Sequence, residues 1–399
     1  EVIQNALNLA SGNGGCVYFP AGRYGISKQI VIPEGVSLEG EGKGLVSLYF
    51  IPDSAMPNPI FAATDNFEIK NIDIYVQGDH NNILAARNNF KLIDCTFRVN
   101  AYYHHVGLNK TGGSYSYAHA TKDVGDLGFA VFITGDRFEI NGCDILCSGQ
   151  PLELRGSTYG IITNNVFAAG KNPYQAYGIV KIMWENNTFR TNGLYSNGMG
   201  MSLYYNSAAS YFNYFKGNTF RDFYGGDREA LTFDGHGTAF LGGSESVEGS
   251  RMTLTSEPAW GNKTKDMIEF WDMGLYRRDN DREWHGVTVY ILDGKGAGQS
   301  RNLVGCDGRT IELDKAWDIN PDENSVISIG KFNGRDIFDK NTFTDVGPSV
   351  QIYPPGYGCI ISRNTIRRAV SANAGGQITN NRVEPNWFSE FVDNVVEQG

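Results

Sequence analysis

The feature that most constrains this chain is a short phrase, Asn-Thr-Phe, that returns at a nearly fixed interval. It stands at Asn187-Thr188-Phe189, Asn218-Thr219-Phe220 and Asn341-Thr342-Phe343, and in relaxed form at Asn165-Val166-Phe167, Asn364-Thr365-Ile366 and Asn381-Arg382-Val383. Cys95-Thr96-Phe97 and Cys143-Asp144-Ile145 fill the same place earlier. Several steps between markers are 22 or 23 residues, a period that specifies a solenoid. Between the markers lie short β-branched and aromatic runs divided by Gly, Asn and Asp, with no Leu framework and no helical period. Such a chain predicts a parallel β-helix, with about three short strands per coil and coils stacked at roughly 4.8 Å. The Asn residues of successive coils would bond amide to amide in a ladder. The Phe two residues on would point into the bore. On this reading the Asn residues are structural and carry no chemistry.

The opening residues extend the pattern. Val2, Ile3, Ala6, Leu7 and Ala10 share one helical face, which suits a short cap over an open β-helix end. There follow Gly14-Gly15-Cys16-Val17-Tyr18-Phe19-Pro20-Ala21-Gly22-Arg23-Tyr24 and Ile32-Pro33-Glu34-Gly35-Val36-Ser37-Leu38-Glu39-Gly40-Glu41-Gly42. This order of cap helix and two motifs resembles the opening of the pectate-lyase-like right-handed β-helix superfamily. That superfamily includes polysaccharide lyases, glycoside hydrolases, uronan epimerases and phage tailspikes. The resemblance implies an all-β fold: a right-handed parallel β-helix with a short N-terminal cap helix. It is nearly silent about the reaction. Secretion, to an extracellular or periplasmic location, is what it implies about compartment.

The marker rhythm breaks once at length. Asn218 and Asn341 are separated by 123 residues, so about 100 residues are inserted in one coil. The insert contains strand-like runs, among them Val287-Thr288-Val289-Tyr290-Ile291-Leu292 and Val326-Ile327-Ser328-Ile329, which predict a small β-barrel or β-sandwich unit. The expected division is 1–240 for the N-terminal β-helix, 241–334 for the inserted unit and 335–399 for the C-terminal coils. The glycine-rich run 294–303 resembles a segment recurrent in bacterial and phage β-helix proteins. Without a following Lys-Ser/Thr or helix, it reads as a strand-to-strand turn rather than a phosphate loop. A second irregularity, the 48 residues from Cys95 to Cys143, contains a loop rich in Tyr and His, including His104 and His105.

Composition excludes several function classes. A net charge of -10 argues against nucleic acid and against an anionic membrane as partners. No run approaches the ~20 apolar residues of a membrane helix. The six cysteines form no metal-binding spacing, so no metal is assigned, and Cys95 and Cys143 at marker positions read as buried thiols.

With the markers as a ruler, one strand per coil stacks from Phe129 to Tyr353. Leu152, Leu154, Met201, Leu203, Leu231, Phe233, Val350 and Ile352 then point inward. The opposite parity exposes Glu153, Ser202, Tyr204, Thr232, Asp234, Gln351 and Tyr353 on one face. The densest charged string, residues 224–236, lies at the coil that carries the insert. It holds Asp227, Arg228, Glu229, Asp234 and His236. A polar turn with solvated charges is the plain reading of such a string. The functional reading is a set of carboxylates at a glycosidic bond.

Asp227 and Glu229 have Cα atoms ~6.6 Å apart in an extended chain, which allows carboxyl separations of ~5–9 Å, the range of retaining and inverting hydrolysis. Glu153 is three strands away, ~14 Å, too far for the same bond but placed for a neighbouring subsite. Asp227, Glu229 and Asp234 are therefore the candidate catalytic acids. Glu153, Arg155, Tyr204, Arg228, His236, His104, His105, Tyr353 and Gln351 are candidate substrate contacts. Glu229 shares parity with inward Leu231, so it is accessible only if the strand begins with a bend.

The expected function is a secreted glycoside hydrolase acting on a carbohydrate, without cofactor. One alternative is a polysaccharide lyase or uronan epimerase, with Ca²⁺ as cofactor only in that case. The other is a non-catalytic, tailspike-like glycan-binding protein.

Overall fold

The computed structural model describes residues 1–51, 57–77, 82–100, 129–147, 149–169, 173–191, 201–202, 210–223, 229–234, 240–258, 287–331, 333–352, 356–368 and 387–397. Three parallel sheets form the body. The first runs from Cys16–Phe19 to Glu390–Val392 and the second from Gly22–Ile26 to Val395–Glu397, each with eleven strands. The third has nine, from Ile30–Ile32 to Val350–Ile352. Each strand pairs with the equivalent strand of the next coil, so the chain winds as a parallel β-helix. The helix Val2–Ala10 covers the first coil, with Leu7 buried and Ile3 and Ala10 packed against the core, while Val2 remains exposed.

The predicted ladder lies between the first and second sheets. The backbone N–H of Asn187 donates to Asn218 Oδ1 at 2.9 Å, and Asn187 Nδ2 donates to the same oxygen at 3.0 Å. Asn165, Asn218, Asn341 and Asn364 repeat this pattern. Each Nδ2 also reaches back to a carbonyl of the preceding coil, as from Asn218 to Trp184 at 2.9 Å. The last rung is Asn394, which accepts from Asn364; the expected marker Asn381 is not that rung and lies outside the described residues. Cys95 and Cys143 occupy two rungs as buried thiols, the weaker sulfur acceptor of Cys143 standing 3.5 Å from the Cys95 N–H. The residue before each Asn rung has positive φ: Asn164 (57°), Asn186 (57°), Gly217 (64°), Lys340 (55°) and Arg363 (54°). Asn tolerates that conformation better than most residues, which accounts for the Asn-Asn doublets 164–165 and 186–187.

Phe167, Phe189, Phe220 and Phe343 stack inside the bore with ring centroids 4.9–5.3 Å apart. Full burial of each contributes about 1.5–3 kcal/mol. A second turn column, between the third and first sheets, begins with stacked Phe67, Phe90 and Phe138. Gly160 follows Phe138 there, because a Cβ at that point would lie 2.3 Å from the ring. The column then becomes polar: Asn213 Oδ1 accepts from the Ile182 N–H at 3.0 Å, and Asp336 Oδ1 accepts from the Asn213 N–H at 2.6 Å.

Asn218 and Asn341 are adjacent rungs although 123 residues separate them. Part of the intervening chain forms an antiparallel sheet in the spatial order Phe240–Gly242, Val326–Lys331, Val287–Asp293, Ser300–Asp307, Thr310–Leu313, Arg251–Leu254, Ser244–Glu248. Only Gly243 separates the two edge strands in sequence, so the sheet closes on itself through that bend into a small barrel. Its interior holds Phe240, Leu254, Val289, Ile311, Trp317 and Ile329. The glycine-rich run is the turn between Val287–Asp293 and Ser300–Asp307, as expected. The barrel meets the β-helix where Tyr290 stacks on Tyr357, centroids 3.7 Å apart. The Arg335 guanidinium lies over the rings of Phe212, Tyr290 and Tyr357.

Two outcomes follow from the ladders. Asn218→Ala strips the Asn187 N–H and the Trp184 carbonyl of their partners, so it should lower stability by about 3 kcal/mol, measured by chemical denaturation. Asp336 is fully buried, its Oδ2 has no partner among the described residues, and burial holds its carboxyl well above the usual carboxylate range. The folded state therefore retains a proton that the unfolded state releases from about pH 4 upward. Stability from this group is complete below that pH and is lost as pH rises toward the folded-state value. Asp336→Asn restores the amide of a normal rung. It should be near neutral in acid and stabilising by about 1–3 kcal/mol at neutral pH; a flat pH dependence of that difference would exclude this account.

Candidate functional site

The outer face of the third sheet is the one the sequence selects, and its register is largely as expected. Ala85, Phe132, Glu153 and Gln175 are successive members of one outward column. Thr232 and Gln351 are neighbours further along the same parity. The adjacent column carries Arg155, Tyr177, Ser202 and Asp234. Inward Leu152, Leu154, Leu231, Phe233, Val350 and Ile352 are fully buried.

Exposure corrects the sequence reading. Glu153, Thr232 and Gln351 point outward yet are only 1%, 2% and 4% exposed. They belong to an enclosed surface, not an open one. Outward polar side chains withheld from water are costly unless something satisfies them. Thr232 Oγ1 and Gln351 Oε1, side by side in the sheet, have no hydrogen-bond partner among the described residues.

Arg155 is the exception, with its side chain 55% exposed. Its Nε donates to Glu153 Oε1. The guanidinium carbon lies 5.1 Å from the Phe132 ring centroid and 5.8 Å from that of Tyr177. Strand alternation produces this cluster: positions 153 and 155 share a face, and the parallel register brings Phe132 and Tyr177 alongside from the flanking coils. Gln150 Nε2 donates to Gln175 Oε1 at 2.6 Å across the same strands.

The candidate acids are less completely seen. Glu229 is half-buried and precedes the strand Leu231–Asp234, with a bend at Ala230 between them. Asp234 ends that strand in register with Ser202, its side chain lying outside the described residues. Asp227, Arg228, His236, His104, His105, Tyr204 and Tyr353 all lie outside the described residues. Among the described residues no three His, Cys, Asp or Glu side chains converge as a metal site.

The sequence reading missed Phe132, Gln150, Gln175 and Tyr177. It passed over the strand Gln175–Tyr177 altogether. The signal was present, since Gln175 follows Glu153 by the same 22-residue step that separates Asn165 from Asn187.

None of the known protein-family models matches the chain, and no curated protein matches its sequence. Solved structures do. The A-module of mannuronan C-5 epimerase AlgE4 from Azotobacter vinelandii aligns with 99% of this chain and 90% of its own length, at 13% identity and a TM-score of 0.50. The chain has the parallel β-helix fold of that module. The Streptococcus pneumoniae surface protein and adhesin PfbA aligns with 99% of this β-helix and 92% of its own chain, at 11% identity and a TM-score of 0.44. For the catalytic unit of a GH87 α-1,3-glucanase from Streptomyces thermodiastaticus the shares are 99% and 65%, at 10% identity and a TM-score of 0.38.

The Glu153–Arg155 pair is asymmetric, and its variants should show it. Arg155→Ala takes the cation from a buried carboxylate and should cost about 2–4 kcal/mol. Glu153→Gln leaves a cation that water already solvates, so the cost should be about 1 kcal/mol or less. Denaturation of both single variants and the double variant measures this; equal losses in the two singles would contradict the burial asymmetry.

Proposed function

We propose that this β-helix is a carbohydrate-active enzyme that binds a polysaccharide along the outer face of its third sheet and cleaves it as a glycoside hydrolase. The observation that carries this reading is the composition of that face. Aromatic rings, a held guanidinium and paired amides stand beside enclosed polar groups. Flat apolar surface with a few fixed polar groups is what sugar rings bind.

Hydrolysis needs two carboxyl groups about the glycosidic oxygen: one protonates the leaving group while the other attacks C1 or activates water. Asp227, Glu229 and Asp234 are the proposed source. The bend at Ala230 supports including Glu229, and the outward register of Asp234 supports including it. Arg155, Glu153, Gln351, Tyr353, Tyr204, Arg228, His236, His104 and His105 are the proposed substrate contacts. Secretion belongs to the same proposal.

A second reading is β-elimination or epimerisation of a uronan, with His104 or His105 as base and Ca²⁺ bound by carboxylates. Arg155, whose side chain is exposed on the outer face, favours it, and the epimerase that shares the fold acts on mannuronan.

Digestion of a glycan panel by wild type and by Asp227→Asn, Glu229→Gln and Asp234→Asn tests the hydrolase. New reducing ends without unsaturated product, and at least about a hundredfold loss of rate in two of the three variants, are expected. Unsaturated product abolished by a chelator would transfer the assignment to the lyase reading. Glycan binding without any product would make the protein a binding module.

A further inference from the structure

We infer that Arg155 reads an anionic substituent, a carboxylate or a sulfate ester, on the glycan bound at the third sheet. The inference rests on the proposal that a glycan lies there and adds the chemical class of its substituent.

Three observations converge. First, the guanidinium is already held: Glu153 takes the Nε hydrogen, and the rings of Phe132 and Tyr177 lie within 5.1 and 5.8 Å of its central carbon. A held side chain loses little further freedom on binding. Second, its Nη amines make no hydrogen bond among the described residues. Arg363 and Arg368 show the contrast. Each gives both Nε and Nη2 to the two oxygens of one carboxylate, Asp339 and Asp345 respectively, and so closes its fork within the protein. In Arg155 only Nε is engaged among the described residues, which leaves the two-amine end of the fork without a partner among them. Third, Arg155 is the solvent-facing member of the pair: its side chain is 55% exposed and that of Glu153 1%.

The class of ligand follows from geometry more than from charge. Glu153 balances Arg155, so the pair has little net attraction for anions, and the chain carries a net charge of -10. Two parallel N–H groups of a planar fork instead select a group that presents two acceptor oxygens at matching separation. Carboxylates and sulfate esters do so. A sugar hydroxyl accepts one such bond and leaves the second amine unpaired.

The test measures binding, so that it is independent of cleavage. Wild type is titrated with polygalacturonate and with its methyl ester, and separately with a sulfated galactan and its desulfated form. In at least one pair the anionic member should bind about ten- to a hundredfold tighter, the range of a charge-assisted two-pronged contact. The preference should vanish in the double variant Glu153→Gln/Arg155→Gln, which leaves no buried charge uncompensated. Arg155→Lys, a point charge without the fork, should keep only a small part of it.

Equal binding of anionic and neutral members, a preference unchanged in the Arg155 variants, or no binding of any probe would overturn the inference. The first of these, together with cleavage of a neutral glycan, would leave the hydrolase reading intact. A preference for the anionic member without product would sustain the inference and remove the hydrolase.

Discussion

The hydrogen bond from a rung's backbone N–H to the Asn side chain of the next coil is the interaction on which the rest depends. A parallel coil turns twice or more per repeat, and at each turn a backbone donor leaves the sheets. Inside the wall no water can satisfy it, and an unmet donor there costs about 1–3 kcal/mol. Asn solves this because one oxygen can accept from both the N–H and the Nδ2 of the previous rung, while its own amide supplies the next. The arrangement fixes register between coils, since a slip by one residue would unpair every rung and turn every bore residue outward. The 123-residue separation of Asn218 and Asn341 is tolerated for this reason: the chain returns to the one place where its donor and acceptor match.

A body locked by its ladder and its stacked Phe residues leaves the outer faces free to carry other chemistry. The third sheet differs from the first in exposure: its outward Glu153, Thr232 and Gln351 are withheld from solvent, whereas Ile161, Ile337 and Ile360 on the first sheet are not. Position along the fold, more than residue type, makes Glu153 a buried acid and Arg155 an exposed base two residues later.

What was legible in the sequence was whatever repeats. Period, rung, bore residue and the parity of the third sheet all come from spacing, and the inserted barrel is visible as the failure of that spacing. Departures within a column were not legible. Nothing in the local sequence distinguishes Asn394, a true rung, from Asn381, since both follow a plausible strand and the intervening step is stretched to 30 residues. Exposure was illegible for a different reason: parity tells which way a side chain points, whereas burial depends on what other segments lie over it. The polar part of the second turn column, Asn213 and Asp336, shares no phrase with the first ladder, so it emerges only once the coils are stacked.

Arg335 and Asp336 show how the inserted barrel is held. They are consecutive residues at the point where the chain re-enters the coil, and they face opposite ways. Asp336 is drawn inward as a rung on Asn213, while Arg335 spreads outward over Phe212, Tyr290 and Tyr357. Tyr290 belongs to the barrel, and Phe212 and Tyr357 belong to coils on either side of Asp336. Any shift of the barrel across the coils would therefore either part the stacked Tyr290 and Tyr357 rings or move the backbone of residue 335, which is bonded through its N–H to Tyr357 O at 2.6 Å. Because residue 336 is fixed in the ladder, that backbone has no slack to give. The barrel is thus built into the stack at its root, and a conformational change that moved it would have to break the ladder at Asp336 first.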